Sequence, residues 1–208
     1  MVLTEVTIRE FINELSSSSP APGGGCVSAL SGALGASLVA MVCRLTIGKN
    51  GYEEHEVLIK SSLEKADSLA RDLLLAIQRD KEAFDSVMEA FALPKSTDEE
   101  KEIRKAAIQK AFKGAVSSPE NIAANCFEVL EIAARIINKC NANAISDIAV
   151  GALEAFTGLQ GALLNIRINL PSIKDAEYVN EKQKWIAEIT LKGDRISEEI
   201  KKAVSEKI

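Results

Sequence analysis

A long uncharged stretch near the N-terminus constrains the fold more than any other feature of this chain. None of the 29 positions between Glu14 and Arg44 carries a charge, and residues Gly23 to Cys43 are mostly apolar. That length would suffice to span a membrane. However, serines interrupt the stretch, and it has neither an aromatic belt nor a flanking basic cluster. We therefore predict a helix buried on all sides at the centre of a helical protein, with no membrane contact.

The remainder of the chain shows helical periodicity and helix-capping signals, with little strand alternation. A loop rich in serine, proline and glycine occupies 16–25. The predicted helices cover about 7–15, 25–47, 53–93, 97–116, 119–140, 144–170 and 175–202. The segment 53–93 is either one long helix or two helices with a small kink between them. No linker divides the chain, so we expect one all-α helical bundle spanning residues 1–208.

Composition excludes several classes of function. The net charge is −5 without a lysine and arginine cluster, which argues against nucleic-acid binding. The single histidine, His55, excludes a metal site built from several imidazoles. The four cysteines have no C-x-x-C spacing, which favours buried thiols in a reducing compartment. No signal peptide opens the chain, so we expect a cytoplasmic protein.

One carboxylate interrupts the apolar stripe of the long third helix. Asp80 follows Ile77 by three positions and precedes Phe84 by four, so all three lie on one helix face. A carboxylate facing the core must be paired, hydrogen-bonded or protonated, because burying it alone is costly. Asp80 is therefore either a member of a structural ion pair or a catalytic carboxyl with a raised pKa.

The helix predicted over 144–170 carries a second stripe on an otherwise apolar surface. Its members recur in steps of three and four residues; they are Asp147, Gly151, Glu154, Gly158, Gly161 and Asn165. Close packing against another helix would explain the glycines. Asp147 could simply cap the first turn of the helix or place a negative charge there. A ligand pocket would explain the polar members equally well, since Glu154 and Asn165 also need partners.

The glycine-rich loop before the buried helix is a third candidate. Gly23, Gly24 and Gly25 would let backbone N–H groups approach a ligand at a helix N-terminus, which favours anions. The loop lacks the lysine of a P-loop and does not follow a strand, so nucleotide binding is not supported. A plain structural turn is the alternative.

Three separated segments resemble the formiminotetrahydrofolate cyclodeaminase family, which also includes methenyltetrahydrofolate cyclohydrolases. They are PAPGGGCVSALSGALGASLVAMVCRLTIGK, DKEAFDSVMEAFALPKSTDEEK and NAISDIAVGALEAFTGLQGALLNIRINLPSIKD. The resemblance implies an all-helical dimer that binds a folate, with Asp80 matching the carboxylate associated with cyclodeamination. Cys26 replaces the serine that is usual after the glycines. The formiminotransferase domain is absent, so a separate formiminotransferase is an expected partner.

The resemblance and the patterns together give a set of expected site residues. Asp80, with Asp147 second, is expected to transfer protons, because such a reaction needs an acid and a base. The expected substrate-binding residues are Gly23, Gly24, Gly25, Ser28, Glu154, Asn165, Arg167, Lys49 and Lys174, the last three for the glutamate tail. We expect a tetrahydrofolate derivative as substrate, without a metal or a separate cofactor. Cyclodeamination of 5-formiminotetrahydrofolate is the first hypothesis, cyclohydrolase activity the second, and a non-catalytic helical dimer the third.

Overall fold

A computed structural model describes residues 2–207 and contains six α-helices. They are α1 (Ile8–Leu15), α2 (Gly24–Arg44), α3 (Glu56–Ala92), α4 (Asp98–Ile136), α5 (Ile145–Asn169) and α6 (Ala176–Ser205). Short 3-10 turns at Glu53–His55, Ala142–Ala144 and Leu170–Ser172 connect some of them. No strand occurs within residues 2–207. The prediction of an all-α protein is confirmed.

Side-chain caps begin the helices where the sequence predicted them. Thr7 and Glu10 form a reciprocal capping box at α1, and Thr97 and Glu100 form another at α4. The carboxylate of Asp175 accepts a hydrogen bond from the backbone N–H of Tyr178 at the start of α6. These bonds satisfy backbone donors that have no partner inside the helix.

The two helices predicted over 97–116 and 119–140 are one continuous helix, α4, so this prediction was wrong. Pro119 lies inside α4 rather than in a first turn. A proline has no N–H to donate to the carbonyl four residues earlier, which here belongs to Ala115. Asn169 of α5 supplies the missing donor, since its Nδ2 lies 3.3 Å from the Ala115 oxygen. The sequence could not show this compensating bond, because its two partners are 54 residues apart.

Most of the uncharged stretch forms the central helix α2, but the prediction that this helix is buried on all sides was wrong, because Leu34 and Ser37 are exposed on one face. Ala29, Ala36 and Val39 are completely buried. By length and composition α2 could cross a membrane, but 67% of its apolar window is buried inside the bundle. Glycines make the packing against α5 close, because a Cβ on Gly35 would lie 2.6 Å from the carbonyl oxygen of Gly151.

Helices α2 to α5 form an antiparallel bundle, and α6 packs against α4 and α5. One end of this bundle is uneven, because α3 and α4 extend beyond the first turn of α2. Asp80 of α3 and Ser118 of α4 lie level with the first turn of α2, as their contacts show. α3 continues for 12 more residues to Ala92, or about 18 Å at the rise of an α-helix. The projecting segment, residues 81–117, is called the α3–α4 hairpin below.

Candidate functional site

The Asp80 carboxyl lies where α2, α3 and α4 meet. Its Oδ1 lies 3.3 Å from the hydroxyl of Ser118 on α4, which donates to it. Its Oδ2 lies 3.6 Å from the thiol of Cys26 in the first turn of α2. Asp80 makes no ion pair with any residue in 2–207. Of the two interpretations left open by the sequence, the structural ion pair is therefore not the one observed.

Burial raises the pKa of the Asp80 carboxyl above its ordinary value. Hydrogen bonds from Cys26 and Ser118 act in the opposite direction, because they stabilise the charged form, but burial is the larger effect. The side chain is nevertheless only partly enclosed. A carboxyl with a raised pKa that is still partly accessible is suited to exchanging protons with a bound ligand.

Cys26 contributes a neutral thiol to this cluster. Its sulfur lies 3.3 Å from the carbonyl oxygen of Ile77, one turn before Asp80. Burial first, and the Asp80 charge in addition, raise the pKa of the thiol to about 11. Cys26 therefore stays protonated at neutral pH and acts as a hydrogen-bond donor rather than as a nucleophilic thiolate.

The contacts of Asp80 and Asn165 with the start of α2 explain why glycines occupy positions 24 and 25. A Cβ on Gly25 would overlap the Asp80 carboxylate, so only glycine leaves room for that side chain. A Cβ on Gly24 would lie 3.3 Å from Nδ2 of Asn165. Gly23 is the N-cap of α2, without a side-chain cap. Four residues predicted from sequence, namely Asp80, Gly24, Gly25 and Asn165, are thus brought together.

Asn165 and Asn169 form the α5 side of the cluster. Nδ2 of Asn165 donates to the carbonyl of Gly161 at 2.8 Å, and Nδ2 of Asn169 lies 2.8 Å from the carbonyl of Asn165. Within residues 2–207, Oδ1 of Asn165 accepts no hydrogen bond. That oxygen is available to a ligand donor at the N-terminus of α2.

The glycines of the α5 stripe lie at the close contact between α5 and α2. A Cβ on Gly158 would lie 2.7 Å from the carbonyl oxygen of Ser28, so the glycine permits close contact with α2. Ser28 itself is buried, and its hydroxyl donates to the carbonyl of Gly24 at 2.7 Å. The structure thus gives Ser28 a place inside the α2–α5 interface, beneath Gly161.

Two predicted carboxylates lie far from Asp80 within the chain. Asp147 precedes Asn165 by 18 residues on α5, which corresponds to about 27 Å along the helix axis. Glu154 precedes it by 11 residues, or about 17 Å. The stripe aligns these side chains on one face, but a helix face is much longer than a small-molecule site. The structure does not bring Asp147 or Glu154 to the cluster.

The three predicted cations are widely separated. Lys49 follows the C-terminal end of α2, about 30 Å along that helix from Gly24. Arg167 points toward α6, where its Nη2 lies 3.5 Å from the hydroxyl of Thr190. Lys174 lies beside the α3–α4 hairpin, because its backbone N–H donates to the side chain of Gln109 at 2.8 Å. Lys49 thus lies at the opposite end of the bundle from Asp80, whereas Arg167, between Asn165 and Asn169 on α5, and Lys174 lie toward the Asp80 end but contact different neighbours.

Sequence reasoning missed Ser118 and Asn169. Ser118 was placed between two helices because of the adjacent proline, so its position on a helix facing Asp80 was not foreseen. Asn169 continues the stripe by one further step of four residues beyond Asn165, so extending that pattern would have found it. Within residues 2–207, no group of three or more His, Cys, Asp or Glu side chains is arranged to hold a metal ion.

Comparisons with known proteins identify the family to which this chain is similar. The formiminotransferase-cyclodeaminase family matches residues 7–188. A methenyltetrahydrofolate cyclohydrolase from Methylorubrum extorquens is 44% identical and is aligned over 97% of each chain. Formimidoyltransferase-cyclodeaminase from mouse is 31% identical over 83% of this chain, which spans 32% of that protein. The crystal structure of formiminotetrahydrofolate cyclodeaminase from Thermotoga maritima has a TM-score of 0.87 at 26% identity, covering 97% of each chain.

Proposed function

Because this chain belongs to the formiminotransferase-cyclodeaminase family, we propose that it acts on the one-carbon unit between N5 and N10 of a reduced folate. The observation that carries the proposal is the Asp80 carboxyl, partly buried, with a raised pKa and held between Cys26 and Ser118. It lies beside the N-terminus of α2, where Gly24 and Asn165 leave backbone and amide groups for a ligand. The tetrahydrofolate derivative is the substrate, and the proposal requires no separate cofactor.

Two reactions share the chemistry that this site supports. Each passes through a tetrahedral carbon bonded to N5, to N10 and to one further heteroatom. Each also needs one group to remove a proton from the attacking atom and to return it to the leaving atom. The Asp80 carboxyl can perform both transfers in turn. Binding the folate in a fixed geometry would supply much of the remaining rate enhancement.

Hydrolysis of 5,10-methenyltetrahydrofolate is the candidate that sequence similarity favours. The relative at 44% identity over nearly the whole of both chains is a methenyltetrahydrofolate cyclohydrolase. In this reaction Asp80 removes a proton from water as the oxygen attacks the cationic methenyl carbon. The carboxyl returns that proton to N5 as the bond from the carbon to N5 breaks, and the new hydroxyl releases its own proton to solvent, which leaves the formyl group on N10. An ionised Asp80 also suits a cationic substrate.

Cyclodeamination is the second candidate, and the similarity to the Thermotoga maritima cyclodeaminase supports it. Here N10 attacks the carbon of the protonated formimino group of 5-formiminotetrahydrofolate and loses its proton to Asp80, while the C=N π electrons move to the formimino nitrogen. The carboxyl then protonates the departing nitrogen, and ammonia and 5,10-methenyltetrahydrofolate are released. The chain spans only about a third of the mammalian relatives it matches. The partner proposed for this route is a formiminotransferase that supplies the substrate.

We also propose that the protein forms a homodimer. One face of α5 is uncharged and exposes large apolar side chains to solvent. These are Val150, Leu153, Leu164 and Ile168, with exposed fractions from 48% to 75%. Leu34, on the neighbouring helix α2, is 50% exposed. Exposed large apolar side chains on two neighbouring helices are typical of a subunit interface, and a second copy related by twofold symmetry would bury them.

The cysteines support the cytoplasm as the compartment. Cys26, Cys43, Cys126 and Cys140 are all free and buried. Reduced thiols are typical of proteins from reducing compartments, whereas exported proteins more often carry disulfides.

An absorbance assay of the methenyl chromophore tests the proposed function directly. Purified protein is supplied in turn with 5,10-methenyltetrahydrofolate and with 5-formiminotetrahydrofolate. Loss of the chromophore above the uncatalysed rate identifies the hydrolase, and its appearance with release of ammonia identifies the cyclodeaminase. If the protein accelerates neither reaction, the proposed enzymatic function is wrong and the non-catalytic helical dimer is the remaining hypothesis.

A further inference from the structure

The proline inside α4 leaves one backbone carbonyl without its helical partner. Pro119 is buried and has no N–H, so the carbonyl of Ala115, four residues earlier, lacks the usual donor. A proline ring also crowds that carbonyl, which weakens the helix locally. An unpaired carbonyl in this half-buried turn would cost free energy. The turn of α4 at residues 115–119 therefore depends on a donor from another helix.

Asn169 of α5 provides that donor, and its position requires a donor group. Its Nδ2 lies 3.3 Å from the Ala115 oxygen and 2.8 Å from the backbone oxygen of Asn165. Both neighbours are acceptors, so each hydrogen of the NH₂ group is directed at a carbonyl. Asn169 thus joins the weakened turn of α4 to the turn of α5 that carries Asn165.

The weakened turn carries Ser118, whose hydroxyl differs in direction from other hydroxyls in this bundle. Those of Ser28, Ser37 and Thr46 each donate to the carbonyl four residues earlier in their own helix. Ser118 instead donates to Oδ1 of Asp80 on α3, 3.3 Å away. The contact between α3 and α4 therefore directs this hydroxyl, rather than the backbone of its own helix.

The hydrogen bond between Ser118 and Asp80 is sensitive to the position of α4. Hydrogen bonds between a hydroxyl and an oxygen acceptor are usually about 2.5–3.0 Å long. At 3.3 Å this bond is near the limit of that geometry. A displacement of the α4 turn away from α3 by roughly a few tenths of an ångström would break it. Ala115 precedes Ser118 by three positions, so a bond to its carbonyl acts within the same helical turn.

We propose that Asn169 is a positioning residue for Asp80, because its hydrogen bond to the Ala115 carbonyl holds the turn of α4 from which Ser118 donates to Asp80. The inference rests on the proposed function only for its effect on turnover. Asn169 makes no hydrogen bond to Asp80 and acts through Ser118. Loss of the Asn169 donor should therefore have the same consequence at Asp80 as loss of the Ser118 hydroxyl.

Few groups besides Ser118 affect the charge of Asp80. Burial raises the pKa of Asp80, and hydrogen bonds from Cys26 and Ser118 lower it. The Cys26 thiol is the titratable group that α2 contributes, and within residues 2–207 neither α4 nor α5 adds a charged group to this set. On α3 the adjacent Lys81 pairs with Asp85. The acid limb of the pH–rate profile, where Asp80 ionises, therefore reports whether the Ser118 bond is present.

The test compares Asn169→Leu, Ser118→Ala and the variant that combines them. Asn169→Leu removes the donor and keeps a side chain of similar size; Asn169→Ala serves in its place if that protein does not fold. The acid limb should move to higher pH by the same amount as in Ser118→Ala, because each change removes the bond that lowers the pKa of Asp80. The combined variant should show no further shift, since both changes break one bond. A combined shift equal to the sum of the two overturns the inference.

Replacing the proline provides an independent test of the link through Ala115. In Pro119→Ala the backbone N–H of residue 119 can donate to the Ala115 carbonyl, so the turn no longer depends on Asn169. Asn169→Leu in this background should move the acid limb less than half as far as it does in the wild-type background. An equal shift in both backgrounds would show that Asn169 acts without the Ala115 carbonyl, and the inference would be wrong.

The matched control is Asn121→Leu, which makes the same chemical change at an exposed position of α4. Its acid limb should coincide with that of the wild type. If the control moves the limb as far as Asn169→Leu does, a general effect of the substitution explains the result and the inference is overturned.

A titration without substrate separates this inference from the proposed reaction. The carboxyl carbon of Asp80 is followed by NMR in protein made with isotopically labelled aspartate, and its signal is identified by its loss in Asp80→Asn. The measured pKa should be higher in Asn169→Leu and Ser118→Ala than in the wild type and the control. That result supports the inference even if neither folate is converted. Equal values for Asn169→Leu and the wild type overturn it, while the proposed function is still decided by the absorbance assay.

Discussion

Replacing Asp80 with asparagine tests the central chemical claim, because it removes the proton-transfer group while preserving its shape. The amide can orient its oxygen toward the Cys26 thiol, which lies 3.6 Å from the present carboxylate. Its NH₂ would then face Ser118, whose hydroxyl can accept as well as donate. The Gly25 contact is preserved because the two side chains have nearly the same volume. We therefore expect Asp80→Asn to fold normally.

The expected loss is in turnover. An amide cannot accept or release a proton near neutral pH, and general acid–base catalysis contributes about 10²- to 10⁴-fold to a rate. We expect kcat to fall within that range. Folate affinity should change much less, since the groups expected to contact the ligand at Gly24 and Asn165 are unaltered.

The raised pKa of Asp80 also predicts how stability should depend on pH. Its pKa in the folded protein lies above the ordinary value of 3.8, so the folded state binds more protons than the unfolded state between those two values. The Asp80 contribution to the free energy of unfolding therefore decreases as pH rises through this window. Asp80→Asn should gain stability relative to the wild type above the window and should show no such gain below pH 3.8.

The assay measures melting temperature against pH, folate affinity and turnover on one preparation of each protein. Asp72→Asn is the matched control, because it makes the same chemical change at an exposed carboxylate on α3. It should retain wild-type turnover and show no pH-dependent gain in stability. A folded, folate-binding Asp80→Asn protein with near wild-type turnover would refute the catalytic role of Asp80.

Three further predictions concern the surroundings of Asp80 and the proposed dimer. Gly25→Ala should lower the free energy of unfolding by about 1–3 kcal/mol and reduce turnover, because its Cβ overlaps the Asp80 carboxylate. The control is Gly114→Ala, whose Cβ meets nothing within 4 Å. In chemical denaturation its free energy of unfolding should instead rise by about 0.5–1 kcal/mol. Ser118→Ala removes a hydrogen bond that lowers the pKa of Asp80. The acid limb of the pH–rate profile should therefore move to higher pH by about one unit or less. An unmoved limb would contradict the assignment of this limb to Asp80. Light scattering at micromolar concentration should show a dimer for the wild type and a monomer for Leu164→Glu, which places a charge on the 62% exposed apolar position; a monomeric wild type would exclude the dimer.

The helical class and the buried central helix could be predicted from the sequence because both depend on local chemistry. A stretch of 29 positions without a charged side chain favours burial of α2 in the core. Capping residues such as Thr7 and Thr97 act within one helical turn, so their effect is visible in a short segment. Asp80 could be identified for the same reason, since a carboxylate on an apolar stripe is a local anomaly.

Only the tertiary structure decided which predicted residues share a site. The stripe on α5 correctly placed its members on one face, but it could not show that Asn165 reaches the N-terminus of α2 while Asp147 lies about 27 Å away. Pro119 favoured a helix start, and the Asn169 amide that satisfies the Ala115 carbonyl reversed that expectation. Lys174 contacts α4 through Gln109, across 65 residues of the chain. Periodicity determines the direction in which a side chain points, whereas its partners depend on the packing of helices that are distant in the chain.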